Sequence, residues 1–340
     1  MHLHPDTRPA RRALRRATAF GAALLCAGAL SLTGCAGTSD GTPRGAARGQ
    51  PKDQAPAFYR MPLGDFQVTA LSDGTVKLPL DAIMSNIPAG RARQLLDAAF
   101  ESTPPEASVN AFLVHTGDRL LLVDAGAGKL FGAGAGHLLE NLKAAGYAPG
   151  DIDAVLLTHL HKDHSGGLAV DGRRLFPRAT VYVHKAERDF RFDLQAEAKA
   201  PPGARPSFAE AREALSPYEA AGKVVLFEGE GELFQGVRTR AAHGHTPGHT
   251  LYEVESRGAR ILFIGDIIHA GAVQFPHPEA TIAFDTDPHA AASDRAALLR
   301  DLAAGKTLVG AAHISFPGLG YVAVGSAGEA YRWMPRPYSR

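Results

Sequence analysis

Cysteine is nearly missing from this 340-residue chain: only Cys26 and Cys35 occur, both within the first 35 positions. Beyond Cys35 there is no thiol, which excludes cysteine nucleophiles, disulfide staples and zinc–thiolate sites from the remaining residues. No apolar run reaches the ~20 residues of a spanning helix, so a multi-pass membrane protein is excluded. An excess of one charge is also lacking, with 36 Lys and Arg against 35 Asp and Glu. No global basic field points to nucleic acid. The Gly/Ala-rich stretch from Ala125 to Gly136 contains no Gly-Lys-Ser/Thr and no phosphate-loop spacing, so it is not a nucleotide loop. With 45% hydrophobic and 21% charged residues, the chain is neither disordered as a whole nor collagen-like nor a coiled coil.

What is present begins with a leader. Five arginines (Arg8, Arg11, Arg12, Arg15, Arg16) precede an apolar stretch, Ala17 to Leu32, of the length of a secretory core. It ends in Leu32-Thr33-Gly34-Cys35, which resembles a bacterial lipobox. The expected division is a lipoprotein signal peptide over 1–34, a flexible Gly/Pro-rich tether over 35–56 beginning at a lipidated Cys35, and one catalytic domain over 57–340. The chain is then expected to be exported and lipid-anchored to a bacterial membrane facing the periplasm. Ala36 after the cysteine gives no inner-membrane signal and favours the outer membrane. An ordinary signal peptide and a twin-arginine route through Arg15-Arg16 stay open.

From Phe58 onward strands and helices alternate. Phe66–Leu71, Val109–His115, Arg119–Val123, Ala154–Leu157 and Thr180–Val183 read as one run of strands. Val224–Phe227, Val237–Ala241, Thr250–Val254, Arg260–Ile264 and Thr307–Ala311 read as a second run. Helices are expected over Gly90–Phe100, Gly134–Ala145, Ser207–Ala221 and Asp287–Ala304. Two runs of strands, each closed by helices, favour a layered α/β sandwich over a single ladder.

Thirteen histidines follow the leader, and they cluster. In Thr158-His159-Leu160-His161-Lys162-Asp163-His164, the extended backbone sends His159 and His161 to one face. Asp163 and His164 fall where the next turn can fold them back to the same point. These are N and O donors for more than one borderline metal. His249 closes Gly244-His245-Thr246-Pro247-Gly248-His249, Asp266 ends an apolar strand, and His313 follows another. Strand ends are where α/β proteins place chemistry.

This set resembles the metallo-β-lactamase superfamily, with Asp124 in Leu121-Leu122-Val123-Asp124-Ala125-Gly126 matching a further motif. Phe58–Thr75, Ala312–Gly320 and Tyr331–Ser339 are similar to its methyl parathion hydrolase-like subgroup. The resemblance implies a four-layered αβ/βα sandwich. It implies two divalent metal ions, zinc above manganese, iron or cobalt. His159, His161 and His249 would hold one, Asp163, His164 and His313 the other, and Asp266 would bridge. Asp124 would orient a ligand histidine, and His245 would brace its loop without binding metal. A homodimer is also implied.

Two metals about 3.5–4 Å apart can hold a water between them and lower its pKa from ~15.7 to about 7. The resulting bridging hydroxide would attack an ester, so the catalytic residues are expected to be Asp163, Asp266 and His269. Phe131, Phe275, Ile282, Phe316 and Leu319 are expected to line an apolar pocket for a small hydrophobic ester. The resemblance places a Tyr at the His269 position in many lactonases and an aromatic at the Arg191 position in the subgroup. Both departures favour lactone or aryl-ester hydrolysis with phosphotriester turnover as a side activity. A dedicated organophosphate triesterase is the alternative. A β-lactamase, disfavoured by the aspartate at 266 and the missing cysteine ligand, and a non-catalytic metal-binding lipoprotein come last.

Overall fold

The computed structural model describes residues 54–102, 104–326 and 328–339. The expectations placed on residues 1–34 and on Cys35 lie outside the described residues. Two seven-stranded sheets organise the remainder. The first runs, edge to edge, Phe58–Leu63, Phe66–Lys77, Glu106–His115, Leu120–Val123, Ala154–Leu156, Thr180–His184 and Val224–Phe227. It is antiparallel up to Leu120–Val123 and parallel from there on. The second runs Glu232–Phe234, Val237–Ala241, Thr250–Ser256, Ala259–Phe263, Leu308–Gly310, Leu319–Val324 and Tyr331–Pro335. Only Ala259–Phe263 and Leu308–Gly310 pair in parallel there.

The layering follows from apolar residues on both faces of the central strands. Leu121 and Val123 pack between the sheets, whereas Leu122 between them faces the helical layer. In the second sheet Ile261 and Phe263 point inward and Leu262 and Ile264 outward. A period of two with both phases apolar is what a strand covered on both faces requires. The outer face of the first sheet is covered by Leu138 and Leu142 of helix Leu138–Ala144 and by Ala211, Ala214, Leu215 and Tyr218 of helix Pro206–Ala220. Leu298, Leu299 and Leu302 of helix Pro288–Gly305 cover the second sheet. The result is the expected helix–sheet–sheet–helix sandwich. A buried bond from the Tyr252 hydroxyl to the Leu157 carbonyl, 2.7 Å, joins the sheets where the loops of the site begin.

One helix starts later than its sequence suggests. The stretch expected to be helical from Gly134 begins at Leu138. Gly136 has φ +93°, and a Cβ there would collide with the Gly128 carbonyl oxygen, so helical backbone cannot pass through it. The buried Asp73 carboxylate instead accepts from the backbone N–H groups of Ala127 (2.9 Å), Gly136 (3.0 Å) and Leu138 (2.9 Å). Helices Lys185–Phe192 and Leu194–Lys199 and strands Leu319–Val324 and Tyr331–Pro335 add to what the sequence pattern gave.

Asp73 thereby fastens the loop that carries Asp124 and Phe131. Asp73→Ala leaves three backbone donors, two of them buried, without their acceptor and is expected to cost about 2–3 kcal/mol or more, read as a lowered urea midpoint with unchanged slope.

Candidate metal centre

The loops that follow strands Leu120–Val123, Ala154–Leu156, Val237–Ala241, Ala259–Phe263 and Leu308–Gly310 meet at one end of the sandwich. They bring Asp124, His159, His161, Asp163, His164, His245, Asp266, His269 and His313 together. All but His161 and Asp163 are buried.

Asp266 is the centre. Its Oδ1 lies 2.9 Å from His164 Nε2 and 3.1 Å from His313 Nε2. Its Oδ2 lies 3.4 Å from His159 Nε2, 3.1 Å from His245 Nε2 and 3.1 Å from His269 Nε2. Each carboxylate oxygen thus faces its own set of imidazoles. His161 Nδ1 completes the Oδ2 side, 2.9 Å from His159 Nε2 and 3.1 Å from His245 Nε2. Asp163 Oδ2 joins the Oδ1 side, 3.7 Å from both His164 and His313 Nε2.

The far nitrogens of four of these rings are tied down. His164 Nδ1 donates to Asp124 Oδ2 at 2.8 Å, His245 Nδ1 to Asp285 Oδ1 at 2.8 Å, and His313 Nδ1 to the Ser108 carbonyl at 2.8 Å. His159 Nδ1 lies 3.0 Å from the Thr158 hydroxyl. A proton fixed on Nδ1 leaves Nε2 with a bare lone pair aimed at the centre. His164 Nε2 is buried with no hydrogen-bond partner. Convergent nitrogen lone pairs around a shared carboxylate, one of them orphaned, fit divalent cations in tetrahedral or five-coordinate N/O surroundings. Asp124 plays the orienting part expected of it and takes the Thr158 N–H (2.8 Å) on its other oxygen. It does so with φ +60°, a strained conformation for a non-glycine residue.

His249 is a correction. Its Nδ1–H donates to the Ala242 carbonyl at 3.1 Å and its Nε2 accepts the Asp266 N–H at 3.0 Å. Both nitrogens are engaged in holding backbone, so no lone pair is left for a metal. Burial and the neighbouring His245 push its pKa down to about 3, which keeps it the neutral acceptor that this bond needs. The place beside His159 and His161 belongs to His245, which the sequence reading set aside. Gly265 makes the arrangement possible: at φ +48°, a Cβ there would stand 2.5 Å from His249 Nε2.

The protonation pattern follows position. Burial lowers His159 and His161 well below the usual imidazole value. Burial also opposes charge on His164, His245 and His313, but Asp266 outweighs it and raises all three, His245 to about 9 with help from Asp285. Burial would raise Asp266, yet His164, His313 and His159 hold it well below the carboxylate range. These are the protons that bound cations displace.

Three braces were not foreseen. Glu187, fully buried, accepts from Leu160 N and Gly248 N (both 3.1 Å), joining the two histidine loops. Asp285 orients His245. Arg295, also buried, donates to the carbonyls of Ile267 (2.7 Å), Pro278 (2.9 Å) and Ala280 (2.6 Å) and fixes the turn after Asp266. None lies in a motif that sequence spacing singles out.

A cavity of about 950 Å³ opens over the centre, with His161, Asp163, Asp266, His269 and His313 among its lining residues. Of the five expected pocket residues only Phe131 lines it. Phe275 is stacked on Trp333 (5.6 Å) in the core outside the second sheet. Ile282 packs with Leu80 and Leu96, and Leu319 lies between the sheets with Phe316 against it. The walls come instead from Val76, Val109, Phe190, Phe208 and Phe284. The geometry separates the two histidines by experiment: His245→Ala is expected to lower bound metal from two towards one per chain by elemental analysis, whereas His249→Gln retains both.

Two solved structures resemble the whole described chain. Hydrolase AbOPH of the beta lactamase superfamily is 36% identical with a TM-score of 0.80, covering 85% of this chain and 100% of its own. The dizinc quorum-quenching lactonase AidC, solved with a product, is 26% identical with a TM-score of 0.75, covering 84% and 99%. Curated relatives match over shorter stretches. N-acyl homoserine lactonase of a Bacillus species is 31% identical over 130 residues, 38% of this chain and 44% of its own. Atrochrysone carboxyl ACP thioesterase of Passalora fulva is 28% identical over 162 residues, 47% and 38%. The chain therefore spans less than half the length of either. With the fold and the histidine–aspartate centre in place, and with residues 104–313 matching the family model, the chain belongs to the metallo-beta-lactamase superfamily.

Proposed function

We propose that this protein is a binuclear metal hydrolase that cleaves lactones or aryl esters, with phosphotriester turnover as a side activity. The observation that carries the reading is the Asp266 carboxylate, one oxygen towards each imidazole set, at the floor of a largely apolar cavity. His159, His161 and His245 would hold one cation beside Oδ2. Asp163, His164 and His313 would hold the second beside Oδ1. Cations bound there, zinc first among the candidates, supply Lewis acidity and lower the pKa of a nucleophilic water.

The chain's own residues do the rest. Phe131, Phe190, Phe208 and Phe284 exclude water and bury the apolar part of an ester. His269 lines the cavity with its Nε2 3.1 Å from Asp266 Oδ2, while its Nδ1 is buried without a partner. Burial lowers its pKa, so it is a neutral imidazole with the proton on Nε2. That N–H can donate a hydrogen bond to a departing alkoxide, which concentrates charge on its oxygen, whereas a nitrophenolate gains little from it. The similarity to AidC and to the Bacillus lactonase supports the lactone reading. The aromatic walls also suit a neutral aryl phosphotriester, which keeps the organophosphate triesterase as the second reading. Export with a lipid anchor at Cys35 belongs to the same proposal and rests on the leader sequence.

The test is kcat/KM of the metal-loaded enzyme on a lactone and on methyl parathion, side by side. A ratio strongly favouring the lactone is expected, and a chelator abolishes both activities. A ratio favouring the phosphotriester promotes the second reading. His269→Leu is expected to lower lactone turnover by about 10²-fold and phosphotriester turnover much less. Equal losses would refute the hydrogen-bonding role.

A further inference from the structure

The cavity over the metal centre is not uniformly apolar. Arg191, on helix Lys185–Phe192, lines it while only 3% exposed. Its guanidinium lies between aromatic rings, 5.3 Å from the centroid of Phe190 and 5.4 Å from that of Phe208. Two contacts hold it: Nη1 donates to Ser207 Oγ at 2.8 Å, and Nε reaches Glu187 Oε1 at 3.4 Å.

Those contacts do not satisfy it. A guanidinium carries five N–H donors in a planar fork. Among the described residues, Arg191 Nη2 makes no hydrogen bond. Glu187 balances its charge through Nε alone, at 3.4 Å, and also accepts from Leu160 N and Gly248 N at 3.1 Å. Nη2 is not enclosed in the core, so an unpaired donor of this cavity-lining guanidinium stays accessible to an acceptor that enters. Asp163, Glu210, Asp266 and Asp285 line the same cavity, but among the described residues the ion-pair partner of Arg191 is Glu187. Lys162 and Lys199 also line the cavity, and Lys162 is 3.4 Å from Glu210.

We propose that Arg191 is a substrate-binding residue that takes a carboxylate on the far end of the acyl chain, so that the preferred substrates are esters or lactones bearing a second, anionic oxygen group. This rests on the ester-hydrolase reading above and adds the class of acyl group. The planar fork pairs with a carboxylate through two parallel bonds, and the flanking Phe190 and Phe208 rings keep water from competing.

Two measurements test it. The first is the affinity of the metal-loaded protein for a series of α,ω-dicarboxylates from glutarate to suberate, each against the monocarboxylate of equal length. One carboxylate can sit at the metals in both members, so the difference reads the second. A gain of about tenfold or more at one chain length is expected, lost in Arg191→Met and partly restored in Arg191→Lys. The second is kcat/KM on nitrophenyl esters of the same mono- and dicarboxylic acids. The carboxylated ester is expected to lead by a similar factor, and Arg191→Met removes that lead while changing the neutral ester less than about threefold.

No dicarboxylate gain at any length overturns the proposal, even if both esters are cleaved and the hydrolase reading stands. A gain that vanishes in Arg191→Met while neither ester is cleaved upholds the anion site and overturns the hydrolase reading. Equal losses on both esters, with normal metal content, overturn the proposal by making Arg191 a structural partner of Glu187.

Discussion

A single buried carboxylate sets the terms for this structure. Asp266 sits in the interior with five imidazole nitrogens within 3.4 Å, and no arrangement of neutral side chains could stabilise it there. Its oxygens divide those nitrogens between them. His159 and His164 reach it from the first sheet, and His245, His269 and His313 from loops of the second. The two sheets meet through this group, so the geometry of the centre and the packing of the sandwich are one problem.

The rest of the machinery keeps the lone pairs aimed. Asp124, Asp285 and the Ser108 carbonyl each fix one Nδ1–H. Glu187 ties the two histidine loops through backbone N–H groups, and Arg295 ties the turn after Asp266 through three carbonyls. These buried charges bond mainly to backbone rather than to each other. Backbone partners are fixed by the fold, so the ligands do not need to find their positions when metal binds. His249 is part of this framework: a neutral ring bridging Ala242 and Asp266 sets the backbone on which the centre is built.

Above the centre, chemistry and recognition are separated. Aromatic walls can bury an acyl or aryl group without regard to which bond breaks, while His269 and Arg191 are the polar groups that discriminate. His269 stands against Asp266 and, on the proposed reading, would offer a hydrogen bond to a leaving oxygen. Arg191 stands among phenyl rings, where only a substrate bearing an acceptor gains from it. On the proposed reading, such a pocket would accept several ester classes and rank them by what lies at its two polar points.

The sequence determined the layered sandwich, because strands such as Leu121–Val123 and Ile261–Ile264 carry apolar residues in both phases of the two-residue period. It also determined most of the centre: His159 and His161 leave an extended segment on one side, and Asp266 and His313 end apolar strands. It could not choose between His245 and His249, which flank the same Thr-Pro-Gly turn and differ only in which backbone groups surround them once folded. Phe275, Ile282, Phe316 and Leu319 lie close to ligands along the chain yet pack into the core, since proximity in sequence does not fix the face a side chain presents. Phe190, Arg191 and Phe208 reach the cavity from helices far from any ligand motif. Local pattern follows from covalent geometry and hydrophobic period, whereas the partners of a buried polar atom come from distant segments, and only the tertiary structure assigns them.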